Sequence, residues 1–391
     1  MFKPVPESQC CGCMACVNAC PQDIIEIKSD ILGFSYPVIT QENKCIGCNK
    51  CNVSCPKKAI REYTTNVGEV ICACNKNDVE RIASSSGGIF PLLCRTILHG
   101  GGVCYGVSFT ESFGTKHIRI TKEAELSKIV SSKYSEASRG YVYREVKEDL
   151  LKGRKVLFSG TPCQIAGLKK YLDKDWDNLL LVDLFCYGIP SPVIWKKWLD
   201  YISNGRKPTF VDFRDKTYGW DNYSLRIEFS DGSIYCKPKK NDLFIATFSK
   251  GSYIRPSCHT CNLKAFPRFS DITLGDFQEL EDIFPDKDPH NGWSMVRINS
   301  QKGRDIFGFI TDFLDYTVIS SETMDRVHPG IGAPSPEHPH HQKIVDLAQK
   351  LPINKLLKKY ATLTYKMRIN QRKTQVKHKI KYMLQKMGFS I

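Results

Sequence analysis

Cys10-Cys11-Gly12-Cys13-Met14-Ala15-Cys16-Val17-Asn18-Ala19-Cys20-Pro21 is followed further on by Cys45-Ile46-Gly47-Cys48-Asn49-Lys50-Cys51-Asn52-Val53-Ser54-Cys55-Pro56. Both segments obey one spacing, C-x-x-C-x-x-C-x-x-x-C-P. Three thiolates on one tight turn reach three corners of an iron–sulfur cubane, and the fourth faces the other way to serve a second cubane. The spacing therefore groups Cys10, Cys13, Cys16 and Cys55 as cluster one, and Cys45, Cys48, Cys51 and Cys20 as cluster two. C-x-x-C pairs also hold zinc, but two matched quartets that each close on Cys-Pro weigh against it. Cys11 falls outside the spacing and reads as a bystander.

Residues 1–62 are thus expected to form a ferredoxin-like module with two 4Fe–4S clusters. Ile24 to Ile27 and Gly33 to Val38 read as short strands with a turn between them. Ala59-Ile60 follows the second Cys-Pro as Ile24-Ile25 follows the first, so the module is an internal repeat.

A chain of 391 residues has room for two or three domains. With 41% hydrophobic and 25% charged residues it is an ordinary globular composition. Eighteen cysteines would suggest disulfides in a secreted chain. No apolar signal segment precedes Cys10, so the expectation is a cytoplasmic protein whose thiols bind metal. No apolar run reaches membrane-spanning length. The net charge is +15, yet twelve Lys or Arg and no acid lie from Lys350 onward, leaving +3 for everything before. The basic character belongs to the tail.

Between module and tail, Val70 to Cys74 reads as a strand with Cys72 and Cys74 on one face, two small buried residues before they are metal ligands. Ser84-Ser85-Ser86-Gly87-Gly88 leads into a helix from Ile89 that ends at Gly100-Gly101-Gly102. The serines are candidate caps, and the glycines could expose backbone amides to a phosphate. Val103 to Phe109 reads as a strand and Lys122 to Val130 as a helix, followed by the polar loop Ser131-Ser132-Lys133-Tyr134-Ser135. Lys155 to Ser159, a Gly160-Thr161-Pro162-Cys163-Gln164 turn, a helix to Leu172 and a second strand from Leu179 to Phe185 make a βαβ unit. Cys163 then lies at a helix N-terminus, which favours a thiolate, and Cys186 at a strand end, where open α/β sheets place their sites. Ser191-Pro192 opens a helix through Trp195 and Trp198. Ser224 to Cys236 turns back on itself at Asp231-Gly232 as a hairpin. Asp271 to Phe277 is a strand and turn, and Asn291 to Val296 a turn entering a strand. Cys258-x-x-Cys261 sits in a loop with His259 facing solvent. Arg214, Lys216, Arg255 and Arg268 read as a solvated surface rather than a basic cleft. Cys163, Cys186, Cys258 and Cys261 could hold a third cubane, although scattered cysteines are more often unrelated.

Ser85-Ser86-Gly87-Gly88, Ser132-Lys133-Tyr134, Gly160-Thr161-Pro162-Cys163-Gln164, Phe185-Cys186-Tyr187-Gly188, Cys258-x-x-Cys261, Asp271 to Asp276, Gly292-Trp293-Ser294 and Gly330 to Ser335 occur in this order. Together they resemble the coenzyme F-420 (deazaflavin) hydrogenase/dehydrogenase beta subunit family, in its ferredoxin-fused form, the group that includes hydroxymethyl-chlorophyll reductases. The resemblance spans residues 1 to about 340. It implies FAD held by Ser85, Ser86, Gly87, Gly88, Ser132, Lys133 and Tyr134, with Ser86 where the family often has Asp. It implies a third 4Fe–4S cluster on Cys163, Cys186, Cys258 and Cys261. Lys133 is the candidate catalytic residue, a positive charge for the reduced flavin.

The expected fold class is α+β: the module (1–62), a mixed α/β domain binding FAD and 4Fe–4S (63–340) and a basic helical tail (341–391). The expected function is an oxidoreductase moving electrons between a ferredoxin-type carrier and a small-molecule substrate, a deazaflavin coenzyme or another organic hydride partner. The alternative is a non-catalytic electron-transfer subunit docked on a partner enzyme; a zinc scaffold would be colourless. In the tail, Val376, Ile380, Met383, Leu384 and Met387 share one helical face opposite Lys and Arg. That pattern suits an anionic membrane surface, with peripheral attachment, or an acidic partner. No motif for nucleic acid accompanies the charge.

Overall fold

The computed structural model describes residues 2–58 and 68–361. Ala59-Ile60 and the apolar face from Val376 to Met387 lie outside the described residues.

The module folds as its repeat predicts. Strands β1 (Ile25–Ser29) and β2 (Ser35–Ile39) pair antiparallel, with Ile25 opposite Ile39. The turn between them is held by the Asp30 carboxylate, which accepts from the amides of Leu32 and Phe34 at 2.9 Å each. Each cysteine run carries a short helix, Ala15–Ala19 in the first and Lys50–Val53 in the second.

The rest is built on a nine-stranded mixed sheet. Its strands are β3 (Glu69–Asn75), β4 (Val103–Phe109), β5 (Thr115–Ile120), β6 (Ala137–Ser138), β7 (Val156–Ser159), β8 (Leu179–Leu184), β12 (Ile272–Asp276), β13 (Ser294–Ile298) and β14 (Leu314–Ile319). Their order is β14-β3-β13-β12-β8-β7-β4-β5-β6. The centre, from β12 through β8 and β7 to β4, is parallel. The three strands β9 (Pro208–Asp215), β10 (Ser224–Phe229) and β11 (Ile234–Pro238) form a separate antiparallel sheet, with the expected hairpin between β10 and β11.

Parallel strands must be covered on both faces. Val156, Phe158, Leu179 and Leu181 point to one side, where they pack with the Val142–Leu151, Pro162–Leu172 and Pro192–Ser203 helices. Leu157, Leu180 and Val182 point to the other, under the Ile89–His99 helix. Cys11, Cys13, Ala15 and Phe34 belong to the first of these cores. The module is therefore continuous with the body's interior rather than tethered beside it. Arg144 adds a polar clamp: its guanidinium donates to the carbonyls of Asn18 (2.9 Å) and Cys20 (2.8 Å) and pairs with Asp23 at 2.6 Å.

Several local expectations change. The Ile89 helix is capped by Gly88 in the left-handed region (φ 79°), not by a serine, because the chain must turn sharply away from Asn75 and Arg81 there. Lys122 to Val130 forms only a short 3-10 turn, Glu123–Lys128. The first part of the tail packs on the body. Leu356, Leu357 and Tyr360 of the Ile353–Ala361 helix are buried. Among the described residues, no helix is long and apolar enough to cross a membrane.

Candidate functional site: thiol clusters and two converging loops

Cys20, Cys45, Cys48 and Cys51 line one pocket of about 370 Å³, together with Phe2, Ile24, Ile25 and Ile46. Cys10, Cys13, Cys16 and Cys55 line another of about 420 Å³, with Cys11, Met14 and Pro37. Each pocket thus takes three cysteines from one run and the last cysteine of the other, the same quartets that the spacing groups. Burial and the neighbouring charges of Cys10 and Cys55 push the Cys16 thiol far up. Burial raises Cys51, with Cys20 and Cys48 adding to it. Without iron the Cys16 and Cys51 thiols therefore hold their protons more tightly, and metal must displace them on binding. Among the described residues, no three His, Cys, Asp or Glu side chains gather as closely as a single bound ion requires.

A third group of thiols assembles from three segments. Cys163 sits in the first turn of the Pro162–Leu172 helix, whose N-terminus is a complete capping box between Thr161 and Gln164. Cys186 follows the end of β8, Cys258 lies within the 3-10 turn Pro256–Thr260 and Cys261 directly follows it. Burial and then the charges of Cys258, Cys163 and Cys261 hold the Cys186 thiol well above its usual range. Burial pushes Cys258 up to about 12, and Cys163 and Cys261 add to that. Cys186 and Cys258 thus each lie near the other three. The expectation of a ready thiolate at Cys163 is reversed: its contact with Cys11 and its burial keep the proton on despite the helix dipole.

Cys11, outside the ligand spacing, packs between two of the thiol groups. It is 7% exposed and touches both Cys13 and Cys163. Beneath it, Gly167 lies so close that an added Cβ would stand 2.7 Å from the Cys13 Cβ and 2.8 Å from its Sγ. Cys163 and Gly167 are one turn apart on the same helix face, so that helix leans directly on cluster one's loop.

The serine–glycine turn and the Ser132-Lys133-Tyr134 loop also meet. Ser85 Oγ accepts from the Ser132 amide at 2.7 Å and donates to Ser132 Oγ at 2.9 Å. Lys133 Nζ turns back to the carbonyls of Val130 (2.9 Å) and Ser131 (3.1 Å) and lies over Phe109. Burial lowers this ammonium to about 8, opposed by the Asp212 carboxylate. Tyr134 Oη accepts from Arg214, whose guanidinium also donates to the Ser85 carbonyl (3.0 Å) and pairs with Asp276 at 2.9 Å. Lys216 Nζ donates to the carbonyls of Arg81, Ser86 and Asn291. Gly87 serves packing: its amide donates to Ser294 Oγ at 2.8 Å, and a Cβ would stand 2.5 Å from the Ala73 carbonyl. That amide is already engaged and is not turned toward a phosphate. Ser86 Oγ donates to the Trp293 carbonyl at 2.7 Å.

Residues 153–320 match the family model for the C terminus of the coenzyme F420 hydrogenase/dehydrogenase beta chain, and residues 9–60 match the 4Fe–4S dicluster domain. The two matched segments support the resemblance to a ferredoxin-fused chain of the deazaflavin hydrogenase/dehydrogenase beta-subunit family. A chain from the F420-reducing NiFe hydrogenase complex of Methanosarcina barkeri is 18% identical, over 77% of this chain and 94% of that one, with a TM-score of 0.46. No curated protein matches the sequence. The module is accordingly an iron–sulfur one, in a chain of an oxidoreductase family.

The four cations read as surface are all buried. Arg214 is 6% exposed, Lys216 7%, Arg255 0% and Arg268 8%. Arg214, Arg255 and Arg268 each reach a carboxylate, Asp276, Glu136 and Asp183 respectively. Their partners are remote in sequence, so composition alone could not reveal them. His259 also turns inward: Nδ1 lies 3.1 Å from the Ser335 carbonyl and its ring meets His341 edge-on. Cys72 and Cys74 are buried in an apolar cluster with Phe277, Trp293 and Met295, where burial pushes them up to about 12 and about 11.

Proposed function

We propose that this chain is an iron–sulfur flavoprotein oxidoreductase that passes electrons between a ferredoxin-type carrier and an organic hydride donor or acceptor. Cluster two is the outer station, cluster one the inner one, and Cys163, Cys186, Cys258 and Cys261 hold a third cubane beside FAD. The observation that carries the reading is the convergence of those four cysteines, from three separate segments, against the loop of cluster one. FAD supplies the exchange between hydride and single electrons.

The remaining work falls to the chain's own groups. Ser85, Ser132 and Tyr134 are polar contacts for FAD where the two loops meet. Arg214 Nε is buried with no partner among the described residues, a donor suited to an anionic cofactor or substrate. Lys133, half-buried and lowered by desolvation to about 8, can hold or release a proton at Nζ near neutral pH, which makes it the group to place opposite the reacting ring.

The test is anaerobic purification with iron, sulfide and flavin analysis of the wild type and of Cys163→Ala. The wild type should carry about twelve irons and the variant about four fewer, one cubane's worth. A wild type with iron for two clusters only, or with no flavin after reconstitution, overturns the reading. A loaded chain that turns over a deazaflavin or another hydride partner only when a second protein is added is the electron-transfer subunit instead.

A further inference from the structure

Glu136 is buried between two arginines. Its Oε2 pairs with Arg255 Nη1 at 2.6 Å and its Oε1 with Arg139 Nη2 at 3.0 Å. All three side chains are at most 2% exposed. The triad carries one uncompensated positive charge, which an apolar interior does not tolerate without an anion nearby. Both ends lie near cysteines. Arg255 Nε donates to the Cys10 carbonyl at 2.8 Å, its fork fills the space above Gly12, and its own carbonyl accepts from the Cys258 amide at 2.9 Å. One residue thereby joins the loop of cluster one to the loop of the third group. Arg139 lies near Cys163, whose thiol it draws downward. Its Nε and Nη1 are buried and find no acceptor among the described residues. Orphaned guanidinium donors near Cys163 are what the sulfurs of a cubane held there would satisfy.

We propose that the Arg139–Glu136–Arg255 triad is the electrostatic bridge between cluster one and the third cluster. Arg139 donates to the third cluster and raises its potential; Arg255 fixes the spacing of the two clusters and favours the reduced form of both. The inference rests on the four-thiolate site proposed above. A cubane held by four thiolates is anionic, and reduction adds one more negative charge. A nearby fixed positive charge and hydrogen bonds to sulfur therefore favour reduction. Arg139 and Arg255 are positioning residues here and touch no substrate.

The experiment is a redox titration of the full, anaerobically reconstituted chain, followed by EPR, for wild type, Arg139→Gln, Arg139→Lys and Glu136→Gln. Arg139→Gln leaves Glu136 paired with Arg255, so the fold keeps a neutral pair. It should make the third cluster at least about tenfold harder to reduce, about 59 mV for one electron, and leave cluster two unmoved. Arg139→Lys, which keeps the charge, should recover most of that shift. Glu136→Gln should move both inner clusters the opposite way. If Glu136→Gln does not load iron, the two Arg139 variants still decide. Loaded clusters with unchanged potentials in Arg139→Gln overturn the inference and leave the proposed function standing. A wild type that lacks the third cluster sinks the proposed function and the inference with it.

Discussion

The two cysteine runs have the same backbone and opposite surroundings. Gly12 and Gly47 occupy equivalent places, with φ of 64° and 70°, and Met14 and Asn49 follow at 62° and 60°. Beyond the backbone they part. Cys11 is buried where Ile46 is 62% exposed, and Asn18 is buried where Val53 is 57% exposed. Cys48 is the exposed cysteine among the eighteen, while its counterpart Cys13 lies under Gly167. One copy has been turned into an interior surface and the other left facing outward. Ligand spacing was kept in both, because the cubane fixes it. Every position between the ligands was free to take the character of its neighbourhood.

The largest effect expected from breaking this comparison is at the two glycines. Any side chain at either position pays for the left-handed backbone, about 1–2 kcal/mol. A Cβ at Gly47 meets nothing within 4 Å, whereas one at Gly12 would stand 2.6 Å from Arg255 Nη1. Gly12→Ala should therefore cost about 1–3 kcal/mol more than Gly47→Ala, the range for overpacking a filled interior. Thermal unfolding of the iron-loaded proteins measures this. Equal losses would mean that the inner copy is not packed against Arg255.

Acid sharpens the same contrast. The first 58 residues contain no histidine. His117, in β5 near Arg139, is buried and stacked on Phe158, and its burial lowers it to about 3, with Arg139 pushing the same way. The unfolded chain binds a proton near pH 6.5 that the folded chain refuses, so stability is full above 6.5 and falls as pH drops toward 3. Between pH 7.5 and pH 5 this group should remove about 2 kcal/mol. Denaturant unfolding across that range should show the slope, and His117→Gln should flatten it. A slope unaffected by the substitution would place the acid sensitivity elsewhere.

What could be read from the sequence follows the same division between local and distant. The ferredoxin runs were plain because one cubane imposes one spacing on nearby residues. The βαβ unit around Cys163, the helix at Ser191 and the hairpin at Asp231-Gly232 were plain because periodicity and caps are also local. The third thiol group was weak at each position: two single cysteines and one pair, joined only when β7 and β8 lie side by side. Glu136 carried no signal at all. A lone glutamate before Ala137 looks like any solvated acid until Arg139 and Arg255 close on it. Gly87 shows the opposite failure. Its serine–glycine setting suggested a phosphate cradle, but close packing on Ala73 and Ser294 already requires a glycine there.

The smallest effect concerns the outer copy. Around Cys48 the exposed apolar residues are Ile46 and Val53, and the exposed cations Lys44 and Lys50 face only one nearby acid in the run, Glu42. Small apolar centres with charged rims suit brief electron-transfer encounters. A carrier protein of acidic surface should be drawn to this side by long-range attraction. Lys44→Glu with Lys50→Glu should slow reduction of the chain by such a carrier roughly three- to tenfold at low ionic strength. Added salt should shrink the difference, because exposed charges are screened beyond about 10 Å at 0.1 M. A small uncharged reductant should treat both proteins alike, since it needs no docking. If stopped-flow traces with the acidic carrier are the same for variant and wild type, electrons enter elsewhere, and the outward-facing copy is exposed for some reason other than exchange.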